Sequence, residues 1–188
     1  MIGIISIGLG GALAPGLKPG DWVVGSGVVA QQGRAPTDED WTRALCARLP
    51  GAELGSIVGS DAMIASADAK RGLHFDTGAL AVDMESHVAA RVAQRHGLPF
   101  AVARVISDGA DRALPRAAQV GMRPDGGMDV LAVIAALARH PGELPALIRT
   151  ALEAETAFRE LLRGRQLLGG TLAAGLGADL GELGVDVG

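Results

Sequence analysis

Three side chains able to bind or transfer protons lie in the middle of this sequence: Glu85, Ser107 and Asp108. In α/β sheets ligands bind beyond the carboxyl ends of the strands, so Glu85 and Asp108 face one crevice if their strands are near neighbours. One carboxylate could then accept from hydroxyls while the other, held protonated or hydrogen-bonded, donates a proton. A plainer interpretation stays open, because the helix dipole favours an acid in a first turn and Asp before Gly is a common turn residue.

The surrounding pattern predicts strand, helix and strand. Ala79–Val82 is a short apolar run that suits a buried strand, and Phe100–Ile106 is a second run, rich in Val and Ile. Between them Asp83 can cap a helix, and Gly97 can end it in the left-handed conformation. One apolar face of this helix, at a spacing of four, comprises Met84, Val88 and Val92.

Two ordered motifs carry a resemblance to a known family. Val-Asp-Met-Glu-Ser at residues 82–86 and Arg-Val-Ile-Ser-Asp-Gly-Ala-Asp at residues 104–111 are separated by a helix of matching length. Together they resemble the signature of the purine nucleoside phosphorylase and nucleosidase superfamily. The resemblance implies an α/β fold, a three-layer sandwich in which a central mixed, largely parallel sheet is flanked by helices.

The resemblance also implies roles for the residues of both motifs. Met84 would pack on a ribose, and Glu85 would accept hydrogen bonds from its 2′ and 3′ hydroxyls. Ser107 and Asp108 would lie beside the purine, where Asp108 protonates or hydrogen-bonds N7 of the leaving base. The implied reaction is cleavage of the N-glycosidic bond of a purine nucleoside.

Two further stretches belong to the implied site. Ile2–Ile7 is predicted as a central strand that runs into a glycine-rich turn, where Gly10 and Gly11 let the backbone approach a nucleoside. Met63 and Ile64 occupy the loop that stacks on the base and reads its edge in nucleosidases, although ordinary core packing is an equally open interpretation. The turn is not a dinucleotide fingerprint, because the Gly-x-Gly-x-x-Gly spacing is absent.

This sequence also departs from the superfamily pattern. Members of the superfamily begin with a further strand, glycine turn and helix, so the sheet is expected to lack the usual first strands and to expose an edge beside Ile2–Ile7. Ser6 stands where one branch has an arginine that grips phosphate. Phosphate or water is therefore the expected acceptor, with phosphate as the candidate co-substrate and no cofactor.

The C-terminal half narrows the resemblance. The runs at residues 111–115 and 120–126 are similar to those of the hopanoid-associated phosphorylases, which are taken to release adenine from adenosylhopane. The implied substrate is a nucleoside or a nucleoside-lipid, the latter reached by peripheral access to a membrane. We expect residues 1–168 to form a phosphorylase-like domain and residues 169–188 a flexible glycine-rich tail. A catalytically inactive homologue that binds nucleosides or partners is the competing hypothesis.

Composition limits the other classes of function. A net charge of −4 argues against a nucleic-acid partner, which would need a basic face. The single cysteine, Cys46, excludes an internal disulfide framework, and no apolar run approaches a membrane span, so a cytoplasmic protein is expected. The histidines lack metal-ligand spacing, which predicts no metal site. Because superfamily members are commonly oligomers, we expect a homo-oligomer.

The remaining pattern predicts the scaffold. Trp22–Ala30 is expected to be a strand, residues 31–36 a loop, and Thr37 the cap of a helix. Arg104 lies mid-strand among small apolar residues, so it is expected to pair with an acid. Residues 112–127 are expected to form a rim over a site. Further helices are predicted over residues 67–76, 128–139 and 143–162.

Overall fold

The computed structural model describes residues 2–115, 118 and 130–175, in which strands alternate with helices. The strands are β1 (Ile4–Ala12), β2 (Trp22–Ala30), β3 (Gly33–Pro36), β4 (Glu53–Gly59), β5 (Ala81–Asp83) and β6 (Phe100–Asp108). The helices are α1 (Glu39–Arg48), α2 (Ala67–Thr77), α3 (Ser86–His96), α4 (Val130–Arg139) and α5 (Leu144–Gly175), with a 3₁₀ turn at Pro141–Glu143.

The strands form one mixed sheet in the order β3-β2-β4-β5-β1-β6, and β6 pairs back onto β2. The longest registers, β1 with β6 and β2 with β4, are parallel, whereas β1–β5, β2–β6 and β2–β3 are antiparallel. The predicted α/β class with a mixed, largely parallel sheet is confirmed. The ring closure through β2 and β6 was not predicted, and the strand order places β1 between β5 and β6.

Helices cover both faces of this sheet, as predicted. Alternate residues of β6 point to opposite faces and belong to different core clusters. On one face α1 and α5 pack over β2 and β6 through Trp22, Trp41, Leu45, Ala157 and Leu168. On the other face α3 packs over β6 through Ala90, Ala93, Phe100, Val102 and Ile106.

The first strand is longer than the sequence indicated. The prediction that it ends at Ile7 and enters a glycine turn is wrong, because β1 continues to Ala12. A Cβ on Gly10 would lie 2.9 Å from the carbonyl oxygen of Val82, so glycine here permits close strand packing rather than a turn. Among the described residues β1 pairs with β5 only through its last two positions, which leaves Ile4–Gly10 open on that side. This agrees with the predicted exposed edge.

The predicted loop and cap after β2 differ from the structure by short shifts. Residues 31–36 include β3, which forms an antiparallel hairpin with β2 and begins at Gly33, where φ is 119°. The cap of α1 is Asp38, whose Oδ1 accepts from the backbone N–H of Trp41 at 3.0 Å. Thr37 instead donates its hydroxyl to the carbonyl oxygen of Gly25 at 2.9 Å, tying the helix start to β2.

The apolar face predicted for α3 is not the face that the helix buries. Met84, Val88 and Val92 remain 42%, 42% and 40% exposed. The helix buries a face of mostly small residues instead, consisting of Ser86, His87, Ala90 and Ala93. The contact with the sheet is close, since a Cβ on Gly59 would lie 2.4 Å from that of His87. Small side chains therefore face the sheet, and the apolar stripe faces outward.

The C-terminal helices differ from the prediction mainly in length. α5 spans Leu144–Gly175 rather than residues 143–162, so residues 169–175 of the expected tail are helical. Residues 176–188 lie outside the described residues, as does the predicted rim beyond residue 115, apart from residue 118. Within the part of the chain that the structure describes, no helix combines the length and apolarity needed to cross a membrane.

Candidate active site

One cavity of about 280 Å³ brings the predicted site residues together. Its lining includes every residue that the sequence analysis assigned to the nucleoside site: Gly10, Gly11, Met63, Ile64, Met84, Glu85, Ser107 and Asp108. Further lining residues, which sequence reasoning missed, include Leu9, Ala62, Leu114, Thr150 and Ala154. Glu85 and Asp108 therefore open into the same hollow.

The strand order explains why these two acids meet. In the sheet register Gly11 of β1 lies opposite Val82 of β5 on one side and Asp108 of β6 on the other. The end of β5, which leads to Glu85, is thus separated from Asp108 by a single strand. A Cβ on Gly11 would lie 3.3 Å and 3.4 Å from the carboxylate oxygens of Asp108, so glycine keeps this junction open.

Asp108 is buried and both of its carboxylate oxygens are engaged. The Ser107 hydroxyl donates to Oδ1 at 2.7 Å and also lies 3.2 Å from the carbonyl oxygen of Gly10. The ammonium group of Lys70 contacts Oδ2. Lys70 also donates to the carbonyl oxygens of Gly109 at 2.9 Å and Arg112 at 3.1 Å.

Lys70 was missed by sequence reasoning, although its helix was predicted correctly. α2 is capped by Ser66, whose side chain accepts from the N–H of Ala69, and it ends at Gly78 in the left-handed conformation. A signal was available: Lys70 is one of only two lysines against fifteen arginines. Its ammonium group is a compact charge with three donors, and it makes three contacts here.

Glu85 is positioned by the residue that precedes the turn into α3. Oδ1 of Asp83 accepts from the backbone N–H of Glu85 at 3.2 Å and from the N–H and hydroxyl of Ser86 at 2.9 Å and 2.7 Å. Asp83 thus satisfies free donors at the start of the helix, as predicted, although it belongs to β5 and Glu85 is the N-cap residue. The carboxylate of Glu85 is left exposed at the cavity.

The prediction that Arg104 pairs with an acid is confirmed, and the acid is Asp83. Nε of Arg104 contacts Oδ2 of Asp83, and both side chains are buried. The guanidinium also donates to the carbonyl oxygen of Ser6 at 2.9 Å and to its hydroxyl at 2.7 Å. Ser6, which stands in the place of a phosphate-gripping arginine, is therefore a hydrogen-bond partner of Arg104.

The loop between β4 and α2 forms another wall of the cavity. Met63 and Ile64 are partly buried there, and Ile64 also packs against a small core cluster that includes Leu13 and Val82. Both open interpretations, cavity lining and core packing, thus apply to Ile64. The backbone N–H of Leu114 donates to the carbonyl oxygen of Ala65 at 2.9 Å, which joins this loop to the segment after β6.

His87 is not part of this cavity. Its Nε2 lies 2.8 Å from Oδ1 of Asp61, and it lines a separate cavity of about 260 Å³ with Gln31 and Thr77. Among the described residues no group of His, Cys, Asp and Glu is arranged to hold a metal ion.

The two ends of the cavity differ in the groups that they offer to a ligand. At one end an exposed carboxylate, Glu85, can accept from vicinal hydroxyls, with Met84 beside it. At the other end the half-buried Ser107 and the buried Asp108 can hydrogen-bond a polar heterocycle that enters between the walls. Apolar side chains between the two ends suit the faces of a ring system.

Comparisons with known proteins agree with this geometry. A family model described as the phosphorylase superfamily matches residues 2–140. Among solved structures, the chain is similar to a futalosine hydrolase mutant of Helicobacter pylori, with 26% identity and a TM-score of 0.52 over 56% of this chain and 57% of that one. It is also similar to the Streptococcus pneumoniae MTA/SAH nucleosidase in complex with 8-aminoadenine, with 25% identity and a TM-score of 0.53 over 57% of this chain and 56% of that one.

A third similar structure is covered more fully. It is a putative methylthioadenosine nucleosidase from Weissella paramesenteroides, with 26% identity and a TM-score of 0.53 over 82% of this chain and 69% of that one. The matches to the first two structures span less than two thirds of those chains. No curated protein matches the sequence.

Proposed function

The chain belongs to the phosphorylase superfamily, and from that premise we propose that it cleaves the N-glycosidic bond of a purine nucleoside. The observation that carries the proposal is that Glu85 and Asp108 line one cavity although they follow different strands. Solved structures of similar fold include nucleosidases, which supports the same class of reaction.

Each end of the cavity has a part in the proposed reaction. Glu85 binds the 2′ and 3′ hydroxyls of the ribose as a charged acceptor, and Met84 packs on the sugar. Ser107 and Asp108 hydrogen-bond the purine at N7 while electrons flow from the breaking bond into the base. Met63 and Ile64 cover the base, and Gly10 and Gly11 let the backbone approach it.

Phosphate or water attacks the anomeric carbon as the bond to the base breaks. The described lining residues of the cavity include no arginine, lysine or histidine, and Ser6 is hydrogen-bonded to Arg104. The acceptor is therefore best identified by the product: free ribose if water attacks, and ribose 1-phosphate if phosphate attacks.

Adenine is the proposed leaving base, and adenosylhopane is the proposed natural nucleoside. The base assignment is supported by the adenine-type compounds named for similar structures. The lipid assignment rests on the resemblance of the C-terminal runs to hopanoid-associated phosphorylases and is compatible with the apolar lining residues Leu9, Val82 and Leu114. A nucleoside with a long 5′ alkyl chain should then be a better substrate than adenosine.

We also propose that the chain acts as a homo-oligomer. The exposed stripe Met84, Val88 and Val92 begins at the cavity and continues along α3, so a second copy packed there would lie next to the substrate. Sedimentation of the wild-type protein beside Val88→Asp tests the proposal, since a charge in a dry interface should dissociate it.

The decisive experiment follows adenine release by chromatography. The full chain is incubated with adenosine and with a 5′-alkyl adenosine, each with and without phosphate, and the sugar product is identified. Asp108→Asn should lower kcat/KM by about 10²- to 10³-fold, the usual cost of removing a hydrogen-bonding group that stabilises charge in the transition state. Asp111→Asn, at an exposed acid three residues away, is the matched control and should retain the rate.

The competing function is nucleoside binding without turnover. Heat of binding for adenosine in calorimetry, together with no adenine release in any of the four reactions, would select it over the enzyme. Full activity in Asp108→Asn would instead remove Asp108 from the mechanism.

A further inference from the structure

Lys70 places a buried ammonium group against Asp108 of the candidate active site, although Lys70 itself does not line the cavity. Its side chain is 1% exposed, and its hydrogen-bonding capacity is used on Asp108, Gly109 and Arg112. The last two contacts are to backbone carbonyl oxygens, so among the described residues the only carboxylate that Lys70 contacts is that of Asp108. One side chain thus fixes both the acid and the segment of chain that follows it.

A buried ion pair is a costly way to hold a loop. Removing an ammonium and a carboxylate from water costs several kcal/mol for each ion, and apolar side chains of similar volume often stabilise a core as well or better. Here the carboxylate is the one that lines the cavity, on the strand end predicted to contact the base. The pair therefore has a chemical consequence at the site beyond packing.

That consequence is electrostatic, because the ammonium places a positive charge in direct contact with a carboxylate that lines the cavity. Other charged groups face this region from several elements. Glu85 lines the cavity from the start of α3, Asp83 on β5 is paired with Arg104, and Asp111 lies near Arg112 in the following segment. Among the described residues only Lys70 places a positive charge on Asp108 itself.

We propose that Lys70 is a positioning residue that holds the Asp108 carboxylate in its orientation, so that Asp108 accepts a hydrogen bond from a protonated base nitrogen. This deepens the proposed function and rests on it. N7 takes its proton from solvent water, and N7–H then donates to the Asp108 carboxylate. As the glycosidic bond breaks, its electron pair moves to the base. The acceptor oxygen bonds to the anomeric carbon and, when the acceptor is water, releases its proton to solvent.

Lys70 also couples the two walls that enclose the base. It lies on α2, whose cap Ser66 follows the loop containing Met63 and Ile64. Its ammonium group holds Gly109 and Arg112 on the opposite wall, and the Leu114 to Ala65 hydrogen bond joins the same segments. Loss of Lys70 should therefore disturb the base end of the cavity and leave the Glu85 end in place.

The test compares Lys70→Met with Arg71→Met, its neighbour on α2, which forms an exposed ion pair with Asp68. Lys70→Met should lower kcat for adenine release by about 10²-fold, as expected for a lost charge-stabilising contact, while KM changes less. Arg71→Met should change neither.

The double variant Lys70→Met/Asp108→Asn separates positioning from packing. If Lys70 acts through Asp108, adding Lys70→Met to Asp108→Asn costs no further activity. Additive losses would overturn the proposal. The double variant also removes both buried charges, so it should fold even if Lys70→Met does not.

A measurement that does not depend on catalysis tests the role of Lys70 separately from the proposed nucleoside cleavage. In wild-type protein labelled with ¹³C at the aspartate carboxyl groups, the resonance that is missing in Asp108→Asn belongs to Asp108. We expect this resonance to move in Lys70→Met and to stay in place in Arg71→Met, and an unmoved resonance in Lys70→Met would overturn the role of Lys70. Absence of adenine release from wild-type protein would refute the proposed function without altering this result.

Discussion

The guanidinium of Arg104 contacts the carboxylate of Asp83 in a place where the two side chains are 1% and 0% exposed. Arg104 belongs to β6 and Asp83 to β5, and β1 lies between their strands. The other oxygen of Asp83 accepts from the backbone of Glu85 and Ser86. The ion pair therefore anchors the turn that presents Glu85, just as Lys70 anchors Asp108.

Arg104→Met should destabilise the protein by about 3–5 kcal/mol, because it leaves the buried charge of Asp83 unpaired. Urea unfolding followed by circular dichroism measures the change. The additional substitution Asp83→Asn should recover much of the loss, since Asn removes the charge and keeps an oxygen for the helix start. Arg43→Met, which breaks an exposed pair with Asp40, is the control and should leave the midpoint nearly unchanged. A midpoint equally unaffected in Arg104→Met would contradict the anchoring role.

The sequence predicted that Arg104 needs an acid but not which acid. Its position among Val and Ala in a strand made burial evident, and a buried guanidinium requires a counter-charge. The choice of Asp83 depends on the strand order β5-β1-β6, which no local pattern encodes. The two ordered motifs did predict the cavity residues. They could do so because they resemble the signature of a family, and such a signature reflects which residues the fold brings together.

Glu85→Gln should weaken discrimination for ribose hydroxyls. A hydrogen bond to a charged acceptor contributes about 1.5–3 kcal/mol, so kcat/KM for adenosine should fall by about 10- to 10²-fold. The rate ratio of adenosine to 2′,3′-dideoxyadenosine, measured by base release, should fall with it. Glu53→Gln, at an exposed position that begins β4, is the matched control. An unchanged ratio in Glu85→Gln would place the ribose elsewhere.

Two parts of the site were beyond prediction from local pattern. The spacing predicted the apolar stripe Met84, Val88 and Val92 but not where it points, and it lies outward because α3 packs close to β4 through mostly small side chains. Thr150 and Ala154 line the cavity because α5 docks across the sheet, and a helical period reveals only that such a helix has an apolar face. In both cases the packing between elements that are distant in the sequence decides which side chains face the sheet or the cavity.

Gly11→Ala should impair catalysis more than folding. The added methyl group would lie 3.3 Å and 3.4 Å from the oxygens of Asp108, close enough to turn the carboxylate away from the base. We expect kcat/KM for adenine release to fall at least about tenfold, since small displacements at a reacting centre are costly. Gly72→Ala on α2 meets open space and should raise stability by about 0.5–1 kcal/mol with unchanged activity. Wild-type kinetics in Gly11→Ala would show that the Asp108 carboxylate tolerates the added methyl group without losing its orientation.

The docking of α5 can be tested with two glycines of that helix. A Cβ on Gly164 would lie 2.2 Å from the Trp22 ring, whereas one on Gly169 meets nothing within 4 Å. Gly169→Ala should stabilise the protein by about 0.8–1.0 kcal/mol through helix propensity. Gly164→Ala gains the same propensity but forces Trp22 or the helix to move, at a cost of about 1–3 kcal/mol, so net destabilisation is expected.

Because α5 also carries Thr150 and Ala154 at the cavity, the two substitutions should differ in function as well. A helix pushed away from Trp22 takes part of the cavity wall with it, so nucleoside affinity in calorimetry should fall in Gly164→Ala and hold in Gly169→Ala. Equal stabilities in thermal unfolding would mean that α5 does not rest on Trp22. Equal affinities would mean that the wall formed by α5 does not contact the nucleoside, which would then be bound by the strand ends and the loops alone.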